Sequence, residues 1–344
     1  MAGFIPPPPH PMKPAASAAI EIDASFGQLS AHNPAAWERE AVQVLWLNHN
    51  RLTTLPCDLS SFIALRELNL SRNPLGSIPP ELHRLEKLTT LRMDQTGLQV
   101  IPDSFAPPLI EHLSLAQNQL SVLPSSFFER TPCLQKLDLS HNRLRCLPAS
   151  LGQLTELREL DLSYNALESL PEEIGNLPHL AVLHLQGNRL KNLPTSIGRL
   201  SRLTRLSLYE NQLTALPETV GNWSSLEFLD VGHNELNSLP DCIGGWCALR
   251  WLILGQNNLT SLPDSFSQLS RLTHVFLSRN QLVDLPAAPE GVRLPVLESI
   301  DLDKNKFPPK WDLPALYHRA ECRKDGYTTR IVNGLRKQLW PEKP

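Results

Sequence analysis

The 344-residue chain is short of several things, and each shortage closes off a class of function. Nowhere do 18 apolar residues run together, the length a helix needs to cross a bilayer, so no membrane span is expected. The opening Met1-Ala2-Gly3-Phe4-Ile5-Pro6 has neither the charged region nor the apolar stretch of a secretory leader. The six cysteines (Cys57, Cys133, Cys146, Cys242, Cys247, Cys322) form no Cys-x-x-Cys spacing and no paired cluster at either end. They read as free thiols of a reducing compartment, so a cytoplasmic location and no metal site are expected. There is no phosphate loop, no metal-ligand cluster and no catalytic spacing, so neither a cofactor nor a small-molecule substrate is expected. No basic stripe runs along the chain, which removes nucleic acid from the expected partners. Asn-x-Ser/Thr triplets at Asn69, Asn222 and Asn258 arise trivially in an asparagine-rich repeat, and glycosylation is not expected.

What is present is a repeat. Asn50, Asn73, Thr96, Asn118, Asn142, Asn165, Asn188, Asn211, Asn234, Asn257, Asn280 and Asn305 recur at intervals of 22 to 25 residues. Around them the frame Leu157-x-x-Leu160-x-Leu162-x-x-Asn165-x-Leu167-x-x-Leu170-Pro171 returns at Leu180 to Pro194 and at Leu203 to Pro217. Alternating leucines make a short strand with one apolar face. A single copy cannot bury that face; stacked copies turn it into ladders, each leucine contributing roughly 1.5 to 3 kcal/mol. After the strand the chain turns and leaves inward-facing backbone groups, which an asparagine amide can satisfy with its donors and acceptor. Thr96, with fewer donors, is expected to be the weak link of that series. Leu-Pro pairs hold the backbone extended, and segments such as Ile174-Gly175-Asn176-Leu177 return in a helical or 3₁₀ turn. Trp223 and Trp246 stand in the leucine slot of that return and are expected to fill the convex side of the core.

The full frame, ending Leu-Pro-x-x-Ile-Gly-x-Leu at Leu177 and Leu200, resembles the 23-residue intracellular class of leucine-rich repeat proteins, over about residues 42 to 310. That class includes Ras-binding scaffolds, plant intracellular Ras-group proteins and bacterial effectors. The resemblance implies an α/β solenoid, a leucine-rich repeat horseshoe with a concave parallel β-sheet and helical or 3₁₀ convex turns. It also implies a non-enzymatic scaffold or adaptor in signalling. The alternatives are a bacterial effector acting in the host cytosol and a substrate-recognition subunit of a ubiquitin-ligase or phosphatase complex supplied in trans. Some effectors of this build carry a Cys-x-Asp ligase nucleophile, but here Cys322 is followed by Arg323, Lys324 and Asp325.

The ends depart from the repeat. Residues 1–33 read as a disordered Pro/Ala-rich tail whose PxxP spacings, as at Pro6 to Pro9, could serve an SH3-like groove. Residues 34–41 read as a capping helix with Trp37 over the open ladder, and 42–310 as twelve repeats. In 311–344, Ile331, Leu335 and Leu339 fall at helical spacing and suggest a basic helical cap. From Lys304 to Pro344 ten Lys or Arg and four Asp or Glu give +6, which against −3 for the whole leaves −9 on residues 1–303.

Between the ladder leucines lie residues the fold does not need, free to encode a protein partner on the concave face. Two groups stand out there. Tyr209, Phe228, Trp251, Ile253, His274 and Phe276 form an expected exposed aromatic and aliphatic cluster, carrying affinity rather than stability. Lys136, Asp138, Glu159, Asp161, His184, Arg205 and Asp230 form a polar stretch before it. Asp161, His184 and Ser207 fall consecutively in one column, but a catalytic triad needs an oxyanion hole and a pocket that an open sheet does not supply. No catalytic residue is assigned.

Overall fold

The computed structural model describes residues 20–27, 40–55, 59–105, 107, 109–286, 294, 296–309 and 321–323. Strands stand side by side in strict chain order, from β1 (Ile20–Asp23) and β2 (Val42–Trp46) through β12 (His274–Phe276) and β13 (Ser299–Asp301) to β14 (Glu321–Arg323). Every neighbouring pair is parallel, giving one open 14-stranded sheet on the concave side of a leucine-rich repeat horseshoe. Each copy of the frame supplies one strand, and its alternation decides the faces. In Glu159–Asp161 the central Leu160 and the following Leu162 are wholly buried, while Glu159 and Asp161 point to the concave surface.

The return path follows from proline. Pro171, Pro194 and Pro217 sit extended at φ −64 to −70° and open five-residue 3₁₀ turns at Glu172–Asn176, Thr195–Arg199 and Glu218–Asn222. The repeat between Asn118 and Asn142 is 24 residues long and closes an α turn at Ser125–Glu129 instead, burying Phe127 and Phe128. Trp223 and Trp246 are fully buried as expected. Their indole N–H groups donate to the carbonyls of Ile197 (3.0 Å) and Val220 (2.8 Å) in the preceding turn, so each ring fastens two repeats.

The asparagines act across repeats. Asn165 Nδ2 donates to the Leu139 carbonyl of the previous copy (2.9 Å) and to Leu162 (3.1 Å), while Oδ1 accepts from the Leu144 amide (3.0 Å). The Thr96 hydroxyl lies 2.9 Å from the Met93 carbonyl of its own repeat and 3.2 Å from Asn118 Oδ1 of the next, and with a single proton it cannot donate twice as an asparagine amide does. Asn165→Ala is expected to cost about 1–3 kcal/mol in chemical denaturation, because it strands the Leu144 amide and takes one of two asparagine donors from the Leu139 and Leu162 carbonyls. An unchanged midpoint would mean that water replaces the amide.

One recurring feature has no residue signature. The position before each ladder residue is left-handed, at φ 52–60° for His49, Arg72, Gln95, Gln117, His141, Tyr164, Glu210, His233, Gln256, Arg279 and Lys304. The single glycine in that column, Gly187, lies under the Tyr164 ring, where a Cβ would stand 2.5 Å from Tyr164 Cδ1.

Both ends differ from expectation. Within the supposed disordered tail of 1–33, Ile20–Asp23 is a strand paired with β2. Ile22 and Ala24 take the ladder positions opposite Leu45 and Leu47, and Asn50 Nδ2 reaches the Ala24 carbonyl (2.9 Å), so 20–27 is an incomplete extra coil that covers the first full repeat. Within 311–344, expected to be helical, residues 321–323 add a strand to the edge of β13, where unpaired backbone groups invite one. The PxxP segments, the helix expected at 34–41 (described only from residue 40), and Ile331, Leu335 and Leu339 lie outside the described residues.

Candidate functional site

The concave face is laid out as three columns, and the strand pairing fixes two of them residue by residue. One runs Lys136, Glu159, Val182, Arg205, Phe228, Trp251, His274, Ser299; the next runs Asp138, Asp161, His184, Ser207, Asp230, Ile253, Phe276, Asp301. Over the earlier repeats the face forms a groove of ≈ 1170 Å³, lined from Asn48 to Glu210 and including Arg92, Lys136, Asp138, Asp161, His184, Arg205 and Tyr209. Lys136, Asp138, Glu159, Asp161, His184 and Arg205 of the polar stretch line this depression, whereas Asp230 is buried and does not.

Its charges are not all rim contacts. Asp138 and Asp161 each accept, through Oδ1, the amide of Ser140 or Ser163 (2.9 and 3.0 Å) and the same serine's hydroxyl (2.7 and 2.6 Å). Asp230 does the same with the Gly232 amide (2.9 Å) and is wholly buried. These carboxylates close the turn after each strand, as side chains of this type do two residues on. The signal was present in the sequence as Asp23-Ala-Ser25, Asn69-Leu-Ser71, Asp138-Leu-Ser140 and Asp161-Leu-Ser163. Lys136 and Glu159 pair at 3.0 Å on the exposed surface, a contact worth about 1 kcal/mol or less. Arg92 and Arg205 are exposed.

Phe228, Trp251, Ile253, His274 and Phe276 of the late cluster adjoin one another, while Tyr209 lines the earlier groove against His233, and the cluster is not the exposed patch expected. Phe228, Ile253 and Phe276 are buried, Phe276 to 2% exposure, and only Tyr209, Trp251 and His274 are half-exposed. The cause is strand spacing. At about 4.8 Å between strands, flat rings one register step apart cover one another. Trp251 stacks on His274 with centroids 3.7 Å apart and 8° between planes, and on Phe276 at 6.3 Å and 13°.

Burial also sets two imidazoles apart. Desolvation lowers the pKa of His184, opposed by Asp161 and Glu159 and reinforced by Arg205; desolvation likewise lowers that of His274, opposed by Glu298. His274 is therefore uncharged at neutral pH, and its 3.8 Å approach to Glu298 is a polar contact rather than an ion pair. Because the folded chain holds these protons less tightly than the unfolded chain, acid favours unfolding. The stability present above the ordinary histidine value of about 6.5 is lost as pH falls below it toward the lowered folded values. The melting temperature is expected to drop between pH 7 and 5.5, and less so in His184→Gln. A flat or rising profile would contradict the burial assignment.

Among the described residues no three His, Cys, Asp or Glu side chains converge as metal ligands, and no helix is long and apolar enough to cross a membrane. Asp161, His184 and Ser207 are adjacent in register, and Asp161 Oδ1 accepts from the Ser163 amide and hydroxyl.

Models of a leucine-rich repeat region match residues 149–235, of leucine rich repeats 108–167 and 239–282, and of a single repeat 64–85. Leucine-rich repeat-containing protein 58 of Xenopus tropicalis is 35% identical over 97 residues, 27% of this chain and 27% of that protein. The chain thus matches only about a quarter of that relative's length. A leucine-rich repeat protein of Leptospira interrogans superposes with a TM-score of 0.57 at 26% identity, over 88% of this chain and 95% of the other. An internalin of Listeria monocytogenes gives 0.68 at 22% identity, over 82% and 80%, a likeness of fold. Repeats of this kind generally mediate protein–protein interaction.

Proposed function

Because this chain belongs to the leucine-rich repeat proteins, we propose that it is a non-enzymatic adaptor that holds a protein partner on its concave face. The observation that carries the reading is the groove from Asn48 to Glu210, whose lining includes exposed side chains, such as Arg92 and Arg205, that the ladders do not use. Its length along the sheet suits an extended or helical segment of a partner rather than a small molecule. Such an adaptor acts by binding alone, in signalling, and the free thiols of Cys133, Cys146, Cys242 and Cys247 support a reducing, cytoplasmic setting. A photo-crosslinking residue at Thr90 in the groove, compared with one at Arg199 on the convex side, tests this. Cross-links to a protein from Thr90 and none from Arg199 are expected. Cross-links confined to Arg199 would overturn the reading.

A further inference from the structure

Asp301 is the least explained charge on the concave face. It is 1% exposed, its Oδ1 accepts the Asp303 amide at 3.1 Å, and its Oδ2 is buried without a hydrogen-bond partner. A carboxylate oxygen removed from water and left unpaired is among the costliest arrangements a fold can hold, and such atoms call for an explanation. The register sets Asp301 beside Phe276, one step from Ile253, with His274 and Trp251 in the adjoining column. His274 Nδ1 is likewise buried without a partner, and Glu298, 70% exposed, stands at the rim 3.8 Å from its Nε2. Stacked aromatic faces beside carboxylates are the complement of a guanidinium or ammonium group: the rings attract the cation by their quadrupole and the oxygens accept its N–H bonds.

We infer that Trp251, His274, Phe276 and Asp301, with Glu298 at the rim, seat an arginine or lysine side chain of the protein partner. This rests on the concave-binding reading and adds the chemistry of one contact: a basic residue of the partner lies over the Trp251–His274 stack with its charge held by contact at the exposed Glu298 and through space by the buried Asp301. An uncharged His274 presents an aromatic face instead of a competing cation.

The test uses N-acetyl-arginine methyl ester titrated into the full chain, read by NMR at the Trp251 indole N–H. N-acetyl-citrulline methyl ester serves as the neutral probe of the same shape. A saturable shift with the arginine ester and at least tenfold weaker response to the citrulline ester are expected. Asp301→Asn should weaken the arginine response at least tenfold. Glu298→Gln, at a side chain that is 70% exposed, should weaken it several-fold and keeps the test valid if Asp301→Asn misfolds. Equal response to both esters, or no change in either variant, would overturn the inference. Arg323 stands opposite Asp301 in the β13–β14 register, so Arg323→Gln is included. A response seen only in that variant would assign the seat to the chain's own arginine and equally overturn it. If Thr90 still cross-links a partner while the arginine ester fails, the cation seat falls and the concave reading stands. Loss of both removes both.

Discussion

Trp223→Ala is expected to lower stability by about 3–5 kcal/mol, the range for truncating a large buried aromatic side chain. The ring is fully buried, packs beside Trp246 at a centroid distance of 6.3 Å, and donates to the Ile197 carbonyl of the preceding turn. Its loss opens a cavity on the convex side and leaves the Ile197 carbonyl with only the Leu200 amide at 3.3 Å. In a solenoid each repeat touches only its neighbours, so the damage should stay local. Hydrogen exchange should accelerate first in residues 195–226, before the rest of the sheet. An exchange pattern that rises uniformly along the chain would show that the two sides of the horseshoe unfold as one unit.

Phe276→Ala is expected to cost about 3 kcal/mol of stability, against the first expectation that this residue serves binding alone. Its 2% exposure makes it core, although it projects from the concave side of its strand. Trp251→Ala should behave differently. That ring is half-exposed, so truncation should change stability by about 1 kcal/mol or less and weaken partner affinity by at least about 2 kcal/mol. Equal stability losses at the two positions would show that the stack is structural throughout.

The contrast between those two rings marks where the sequence can be read and where it cannot. The ladder leucines, the asparagine slot and the columns were legible, because a period of two inside a period near 23 leaves one possible register, and the strand pairing follows it. Burial on the concave face was not legible. Whether Phe276 is covered depends on the size of Trp251 and His274, 25 and two residues away, which meet it only once the repeats stack. The turn-closing role of Asp138 and Asp161 was hidden for a different reason: a carboxylate on an exposed column looks the same whether it awaits a partner or holds its own backbone. The left-handed column carries His, Arg, Gln, Tyr, Glu and Lys and one glycine, so no residue type announces it. At the start of the chain, Gly27 stands in register where the ladder asparagine would be, which concealed the extra coil at 20–27.

Side chains that make the horseshoe and side chains that read a partner are expected to be separate sets. The direct measurement is a paired one, partner dissociation constant and melting temperature on the same preparations, for Arg92→Ala, Arg205→Ala, Trp251→Ala and Asn165→Ala. The first three should weaken binding with melting temperatures close to that of the parent chain, while Asn165→Ala should melt early and, where still folded, bind as the parent does. A set in which affinity falls only in step with melting temperature would contradict the division and, with it, a concave binding face.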